Sequence, residues 1–169
     1  MILKENQKVN IVTRAIIIRD NHLLITKWKD SFSFLIGGRV DFGEPIEESV
    51  LREVFEETKM VGKINKLIYF NENIFKFKEI EHHEFGWYYL VDIEDWKINI
   101  GDVIQNPDAT QLTIQFVPID RLNEYELYPS FLVDYLPKDA LNRFSNAPRH
   151  IYSNALMSPK QIIEMNKTC

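Results

Sequence analysis

The chain has 169 residues, of which 45% are hydrophobic, and a formal net charge of -5. This length and composition are typical of one globular domain, and we expect a single domain over residues 1–169. The acidic balance argues against a general nucleic-acid-binding protein, which needs a basic face. The sole cysteine, Cys169, cannot form an intrachain disulfide. Without a signal-peptide pattern or an apolar run of about 18 residues, we expect a soluble, cytoplasmic protein that does not contact membranes.

The predicted elements begin with strands, continue through one acidic helix and more strands, and become helical beyond about residue 120. Asp20 and Asn21 form a turn signal between the first two strands. This order predicts an α+β fold or an α/β/α sandwich with a mixed sheet, followed by a C-terminal helical extension. Strands are predicted at 9–19, 22–28, 32–36, 64–78, 85–93 and 111–118, and helices at 45–58, 130–136, 137–144 and 158–165.

Six carboxylates crowd the segment between Glu44 and Glu57. Three of them, Glu53, Glu56 and Glu57, recur at helical spacing and share one helix face. Like charges at this spacing repel, so they add nothing to helix stability. Mg²⁺ prefers carboxylate oxygens and works beside substrate phosphates, which suggests a metal site for phosphate chemistry. The alternative is an ordinary solvated face opposite the apolar stripe of the same helix.

A glycine-rich loop precedes this helix. Gly37 and Gly38 stand before the loop and Gly43 stands near its end. Pro45 suits the first turn of a helix. Glycine permits tight turns and close approach of the backbone to a ligand. A short strand therefore enters a glycine loop that leads into an acid-lined helix, an order that helix stability alone does not require.

Residues 38–60 resemble the signature of the Nudix hydrolases. That pattern is Gly, five residues, Glu, seven residues, Arg-Glu-aliphatic, one residue, Glu-Glu, one residue, Gly-aliphatic. Lys59 stands where the family usually has a glycine that closes the helix in a left-handed conformation. A non-glycine residue there costs about 1 kcal/mol, unless the helix continues to Gly62. The matching positions are Gly38, Glu44, Arg52, Glu53, Val54, Glu56, Glu57 and Met60.

The resemblance implies the Nudix fold and Mg²⁺- or Mn²⁺-dependent hydrolysis of a pyrophosphate bond. The implied substrate is a small molecule, a nucleoside diphosphate linked to a group X. Arg52 is implied to orient the acids through a salt bridge, with an ordinary helix ion pair as the alternative. Glu44 has a structural role at the helix start. The implied metal ligands are Glu53, Glu56, Glu57 and the backbone carbonyl of Gly37 or Gly38.

The general base and the substrate contacts are left open. The base is a motif glutamate or an acid outside the motif, with Glu84 the first candidate. Asp92, Glu94, Asp95, Asp102 and Asp108 are further candidates, and each of these acids is also explained as a solvated charge. Lys27 and Arg39 lie near the glycine loop and are candidates for phosphate contacts. Trp87 and Tyr89 share one strand face and are candidates to stack on a base, with the core or an interface as the alternative. His82 and His83 point to opposite faces of a strand, so a zinc site is rejected.

Two functions from different classes remain. The first is an active pyrophosphohydrolase acting on a nucleotide sugar, an ADP-ribose-like compound or a modified nucleoside triphosphate. The second is a non-catalytic Nudix-fold module that binds a nucleotide or regulates a partner. The presence of every motif acid favours the enzyme. The isomerase relative that handles isopentenyl diphosphate needs a cysteine near its site, and Cys169 lies at the terminus. The aromatic content also suits a homodimer interface, although the sequence does not decide the oligomeric state.

Overall fold

The computed structural model describes residues 4–28 and 31–156. Within these residues there are two sheets and two α-helices, with a 3₁₀ helix at Ile119–Glu124. The helices are α1 (Ile46–Thr58) and α2 (Phe131–Leu141). The strands are β1 (Gln7–Ile16), β2 (Ile18–Arg19), β3 (His22–Trp28), β4 (Ser33–Leu35), β5 (Gly62–Phe77), β6 (Ile80–Ile93), β7 (Val103–Gln105), β8 (Leu112–Pro118) and β9 (Arg149–Asn154).

The first sheet has the strand order β1-β6-β5-β9, and the second has the order β2-β3-β8-β7 with β4 also paired to β3. In the first sheet, β1 runs parallel to β6 and β9 runs parallel to β5, whereas β5 and β6 are antiparallel. The sheet is therefore mixed, as expected. Strand β1 lies at the edge of its sheet, and this edge receives the glycine loop.

Each sheet is covered on both faces. Successive strand residues point to opposite faces and belong to different buried clusters. On β1, Ile16 joins one buried cluster while Ala15 joins the other. Helix α1 covers one face with Val50 and Val54. Helix α2 covers the other face with three residues, Phe131, Leu132 and Leu136. A fully buried Val or Leu contributes about 1.5–3 kcal/mol, so these faces hold the layers together. The predicted α/β/α sandwich is confirmed.

The structure refines several predicted elements. The strand expected at 9–19 is interrupted at Ile17 and resumes as β2. The two helices expected at 130–136 and 137–144 are one helix that continues through Pro137 and ends at Leu141. Strand β7 was not predicted. The helix expected at 158–165 lies outside the described residues.

Beyond residue 120 the chain is not purely helical. Strand β9 joins the first sheet beside β5, although no strand was predicted there. Its sequence, RHIYSN, has weak alternation, and pairing with β5 supplies the backbone hydrogen bonds that make it a strand. In the described part of the chain, no helix has the length and apolar character that crossing a bilayer requires.

Lys59 ends α1 in the left-handed conformation, with φ 57° and ψ 16°. Its backbone N–H donates to the Phe55 carbonyl at 2.8 Å. Of the two arrangements considered for this departure from the Nudix signature, the helix therefore stops at Lys59 and does not continue to Gly62. The side-chain ammonium bonds the Glu56 carbonyl at 3.0 Å, which partly offsets the backbone cost.

A buried carboxylate fastens α2 to the first sheet. Asp139 is 4% exposed and accepts from the Tyr69 hydroxyl at 2.9 Å and from Arg149 Nη2 at 2.6 Å. The three residues lie on α2, β5 and β9. The network links the C-terminal segment to the strands that precede it.

Asp139→Ala is expected to lower the free energy of unfolding by about 2–3 kcal/mol, because the buried Tyr69 hydroxyl and the Arg149 guanidinium lose their acceptor. Urea denaturation followed by circular dichroism measures this change. The control is Asp134→Ala, an exposed acid on the same helix, with an expected loss below about 1 kcal/mol. Equal effects of the two substitutions would contradict a fastening role for Asp139.

Candidate active site

The glycine pair lies against the free edge of β1. Single bridges join Ala15 to Ile36 and Val12 to Arg39, and the Thr13 N–H donates to the Gly38 carbonyl at 2.9 Å. Gly37 has φ 139°, and a Cβ on it would lie 2.1 Å from the Thr13 carbonyl oxygen. Only glycine fits this position.

Two carboxylates of α1 reach this glycine pair. A Cβ on Gly38 would lie 2.3 Å from Glu53 Oε1, so the Glu53 carboxylate occupies the space that a side chain would fill. The Gly37 N–H donates to Glu57 Oε1 at 2.7 Å. The predicted convergence of Glu53, Glu57 and the glycine loop is therefore present in the fold.

Glu57 is a buried carboxylate held by neutral donors. Its side chain is 4% exposed, and its Oε2 accepts from Asn106 Nδ2 at 2.7 Å and from the Thr26 hydroxyl at 3.3 Å. Burial raises the pKa of Glu57 to about 7, although the Gly37 N–H, the charge of Arg14 and Asn106 act in the opposite direction. A proton therefore competes near neutral pH for the oxygens that a cation would need.

Arg52 gathers the other acids of the signature. Its Nε and Nη2 bond Glu44 at 2.7 and 3.0 Å, and its Nη1 bonds Glu53 at 2.9 Å and Glu56 at 3.0 Å. The hydrogen bond from Arg52 lowers the pKa of Glu44 to about 2. Burial raises the pKa of Glu53, with Arg52 opposing. The salt bridges expected of Arg52 are present, and they connect the helix start to acids about two and three turns later.

The carboxylates do not close around a common point. Across residues 4–28 and 31–156, no group of three His, Cys, Asp or Glu side chains is gathered closely enough to hold a metal ion. Glu53 and Glu56 turn toward Arg52, and Glu57 turns toward neutral donors. Like charges repel, so guanidinium and amide groups hold the acids in separate positions. The carboxylates of Glu53, Glu56 and Glu57 therefore lie on one helix face without surrounding a common point.

Glu84 and Lys27 are not brought to the acids of α1. Glu84 pairs with Asn10 of β1, four residues before Arg14 and about 13 Å along the strand. Glu84 shares a sheet face with Tyr88 and with Arg14, which pairs with Tyr88, so its distance along the strand and not its face separates it from the glycine loop. Lys27 follows Thr26 on β3, so it points away from the face on which Thr26 bonds Glu57. Neither residue is therefore gathered with Glu53 and Glu57.

The two aromatic candidates, Trp87 and Tyr89, differ in their burial. Tyr89 is 6% exposed inside the core beneath α1, so it is a packing residue and not a platform for a base. Trp87 is half-buried on the same face, with its ring centroid 4.9 Å from that of Phe70. The core alternative weighed for these residues therefore holds for Tyr89. Arg39 lines a groove of about 700 Å³ with Asn10, Phe42 and Glu44.

The candidate bases in the loops also lie outside this arrangement. Asp92 accepts from Asn65, Asp95 accepts from the Val61 N–H, and Asp102 accepts from Asn99. Asp108 is exposed and lies two residues after Asn106. The loop between β7 and β8 thus brings the Asn106 amide to Glu57.

Three residues that contact the site were missed from the sequence. Thr26 and Asn106 bond Glu57, and Arg14 Nη1 bonds the Gly37 carbonyl. Thr26 and Asn106 carry no local signal, since only the folding of β3 and the β7–β8 loop onto α1 gives them a role. Arg14 does carry one. It is a lone charge within the apolar run of β1, and a charged residue there needs a partner.

Comparisons with known proteins agree with this geometry. The NUDIX domain model matches residues 9–136. An ADP-ribose pyrophosphatase from Methanocaldococcus jannaschii is 29% identical over 99 residues, or 54% of this chain and 56% of that protein. The chain thus spans little more than half the length of that relative.

Solved structures share the fold at low identity. A NUDIX hydrolase from Nitrosomonas europaea has a TM-score of 0.61 and 13% identity, and the match covers 86% of this chain and 77% of that one. A MutT protein from Bacillus halodurans has a TM-score of 0.59 and 20% identity, with 89% and 92% covered. The family match spans well over half of the sequence and includes the whole glycine loop and α1. This chain belongs to the NUDIX domain family.

Proposed function

We propose that this protein is a Mg²⁺-dependent pyrophosphohydrolase acting on a nucleoside diphosphate linked to a second group. The observation that carries the proposal is the meeting of Glu53 and Glu57 at the Gly37–Gly38 pair. Carboxylates so close to a backbone that lacks side chains suit a hard cation and a phosphate group. The relative from Methanocaldococcus jannaschii, an ADP-ribose pyrophosphatase, supports an ADP-ribose-like substrate.

The donor atoms of the residues present, which are carboxylate and carbonyl oxygens, suit a divalent cation that prefers oxygen ligands. Glu53, Glu56 and Glu57 would hold it, together with the Gly37 carbonyl. The Gly38 carbonyl is engaged by the Thr13 N–H, so the contribution of Gly38 is the space it leaves for the Glu53 carboxylate. When bound, a cation of this kind offsets the charge of the diphosphate and lowers the pKa of a coordinated water.

The chain's own groups supply orientation and a proton acceptor. Arg52 bonds Glu53 and Glu56 through the same Nη1 atom and therefore fixes their relative positions. Asn106 and Thr26 hold one oxygen of Glu57, and the Gly37 N–H holds the other. We assign the proton of the attacking water to a carboxylate of α1, since Glu84 pairs with Asn10, about 13 Å along β1 from Arg14. The groove beside Arg39 is the place proposed for the substrate.

The expected activity is release of a nucleoside monophosphate from ADP-ribose, nucleotide sugars or related diphosphates in the presence of Mg²⁺ or Mn²⁺. Phosphate positioning and charge neutralisation supply most of the rate in such reactions, so EDTA should abolish turnover. Chromatography of a substrate panel with and without metal measures it. Binding of a nucleotide without turnover of any compound in the panel would favour the regulatory module instead.

Glu57→Gln is expected to reduce kcat by about 10³-fold or more, because the amide keeps the shape of the carboxylate but lacks the charge that a cation requires. Initial rates on the best substrate of the panel measure this loss. Glu48→Gln is the matched control, since Glu48 is exposed on the same helix and should leave the rate unchanged. A Glu57→Gln variant with near-normal kcat and a normal circular dichroism spectrum would remove Glu57 from the proposed machinery.

The stability of the metal-free protein should depend on pH through the ionisation of Glu57. Its folded pKa of about 7 exceeds the ordinary glutamate value of 4.5, so between these values the folded protein retains a proton that the unfolded chain has released. Stability from this group is complete below the unfolded pKa and is lost as pH rises through the folded pKa, by about 3 kcal/mol.

Urea denaturation in EDTA between about pH 5 and 8 checks the sign. Relative to Glu57→Gln, the wild-type protein should lose stability with rising pH, because the variant lacks the titrating group. Parallel stability profiles for the two proteins would rule out a raised pKa at this position.

A further inference from the structure

Arg14 is a second guanidinium at the candidate site, and its surroundings differ from those of Arg52. It lies on β1 opposite Tyr88 of β6, and its side chain reaches the glycine loop at the sheet edge. Its Nη1 donates to the Gly37 carbonyl, and its guanidinium carbon lies 5.7 Å from the centre of the Phe34 ring. Arg14 therefore occupies the carbonyl to which the proposed function assigns a cation.

The two arginines differ in the number of hydrogen bonds that they donate within the described part of the chain. Arg52 donates to Glu44, Glu53 and Glu56, and also to the Ser49 hydroxyl and the Arg39 carbonyl. Arg14 has one hydrogen bond within the described part of the chain, the bond to Gly37. A guanidinium carries five N–H donors in a planar fork, so most donors of Arg14 are available to another acceptor.

The charge of Arg14 nevertheless reaches the acids. It acts to lower the pKa of both Glu57 and Glu53, although neither carboxylate is bonded to it. It thus partly offsets two buried negative charges through space. A divalent cation at the same place would do this more strongly, and it would repel the guanidinium.

We propose that Arg14 exchanges partners during the reaction cycle: it holds the Gly37 carbonyl in the metal-free protein and donates to the diphosphate of the substrate once a divalent cation takes that carbonyl. The inference rests on the proposed function. A planar guanidinium binds phosphate oxygens through two parallel hydrogen bonds. Once displaced from the Gly37 carbonyl, Arg14 can therefore bind the diphosphate beside the metal. Arg14 is therefore a substrate-binding residue that also tunes metal affinity.

A purely structural Arg14 makes the opposite prediction for metal binding. If its only task were to fasten the glycine loop to β1, its removal would loosen the loop and weaken the metal site. If it competes with the cation, its removal tightens metal binding while it weakens substrate binding. The sign of the change in metal affinity separates the two roles.

The test is Mn²⁺ titration of the metal-free protein without substrate, with free Mn²⁺ followed by electron paramagnetic resonance. Arg14→Met should bind Mn²⁺ about 5-fold more tightly, since a repelling charge is gone. Its KM for the best substrate should rise by about 10-fold or more, because the fork to phosphate is lost. Arg14→Lys should return Mn²⁺ affinity toward the wild-type value but leave KM raised, since lysine restores charge without the fork.

Arg121→Met is the matched control. Arg121 is paired with Glu124 on the 3₁₀ helix and is absent from the site, so neither Mn²⁺ affinity nor KM should change. Unchanged or weaker Mn²⁺ binding by folded Arg14→Met would overturn the exchange. Wild-type protein that binds no Mn²⁺ and hydrolyses nothing would instead overturn the proposed function.

A measurement on the wild-type protein covers the case in which Arg14→Met does not fold. The Nε–Hε resonance of Arg14, assigned through its own backbone, should shift when Mg²⁺ is added and shift again with inorganic pyrophosphate. If the protein is shown to bind Mg²⁺ and this chemical shift changes with neither addition, the exchange is excluded.

Discussion

Repulsion between the carboxylates of α1 is the constraint around which the site is organised. Glu53, Glu56 and Glu57 share one helix face, and two of them are largely buried. Burial removes the water that would otherwise screen them. The fold meets this constraint with Arg52, with the Gly37 N–H and with Asn106. Arg52 bonds both Glu53 and Glu56, and the Gly37 N–H and Asn106 each donate to Glu57.

The glycine loop lies beside these carboxylates and leaves the space proposed for a ligand. Gly37 fits because its backbone lies too close to Thr13 for any side chain, and Gly38 fits because Glu53 occupies the space of its Cβ. The edge position of β1 matters as much as the glycines. An edge strand has free backbone groups on one side, and Thr13 and Ala15 use theirs to hold the loop. A central strand has no such groups to offer.

The outcomes for individual residues follow from strand geometry. Tyr88 and Tyr89 are adjacent in sequence, yet they belong to different cores because successive side chains alternate. The same alternation separates Lys27 from Thr26. Glu84 was a reasonable candidate by chemistry, but its register with Asn10 places it far along the sheet from the glycine pair. Register depends on pairing between distant segments, and local sequence does not contain it.

The sequence by itself determined the family, the order of most elements and the acids of α1, because these rest on local spacing and periodicity. Through the resemblance it also implied that Arg52 orients those acids by a salt bridge. Only the tertiary structure decided that Asn106 and Thr26 bond Glu57, that Arg14 bonds the Gly37 carbonyl and that Tyr89 packs in the core. The physical reason is that such contacts arise where β1, β3 and the β7–β8 loop pack against α1, at separations in sequence that no local pattern can encode.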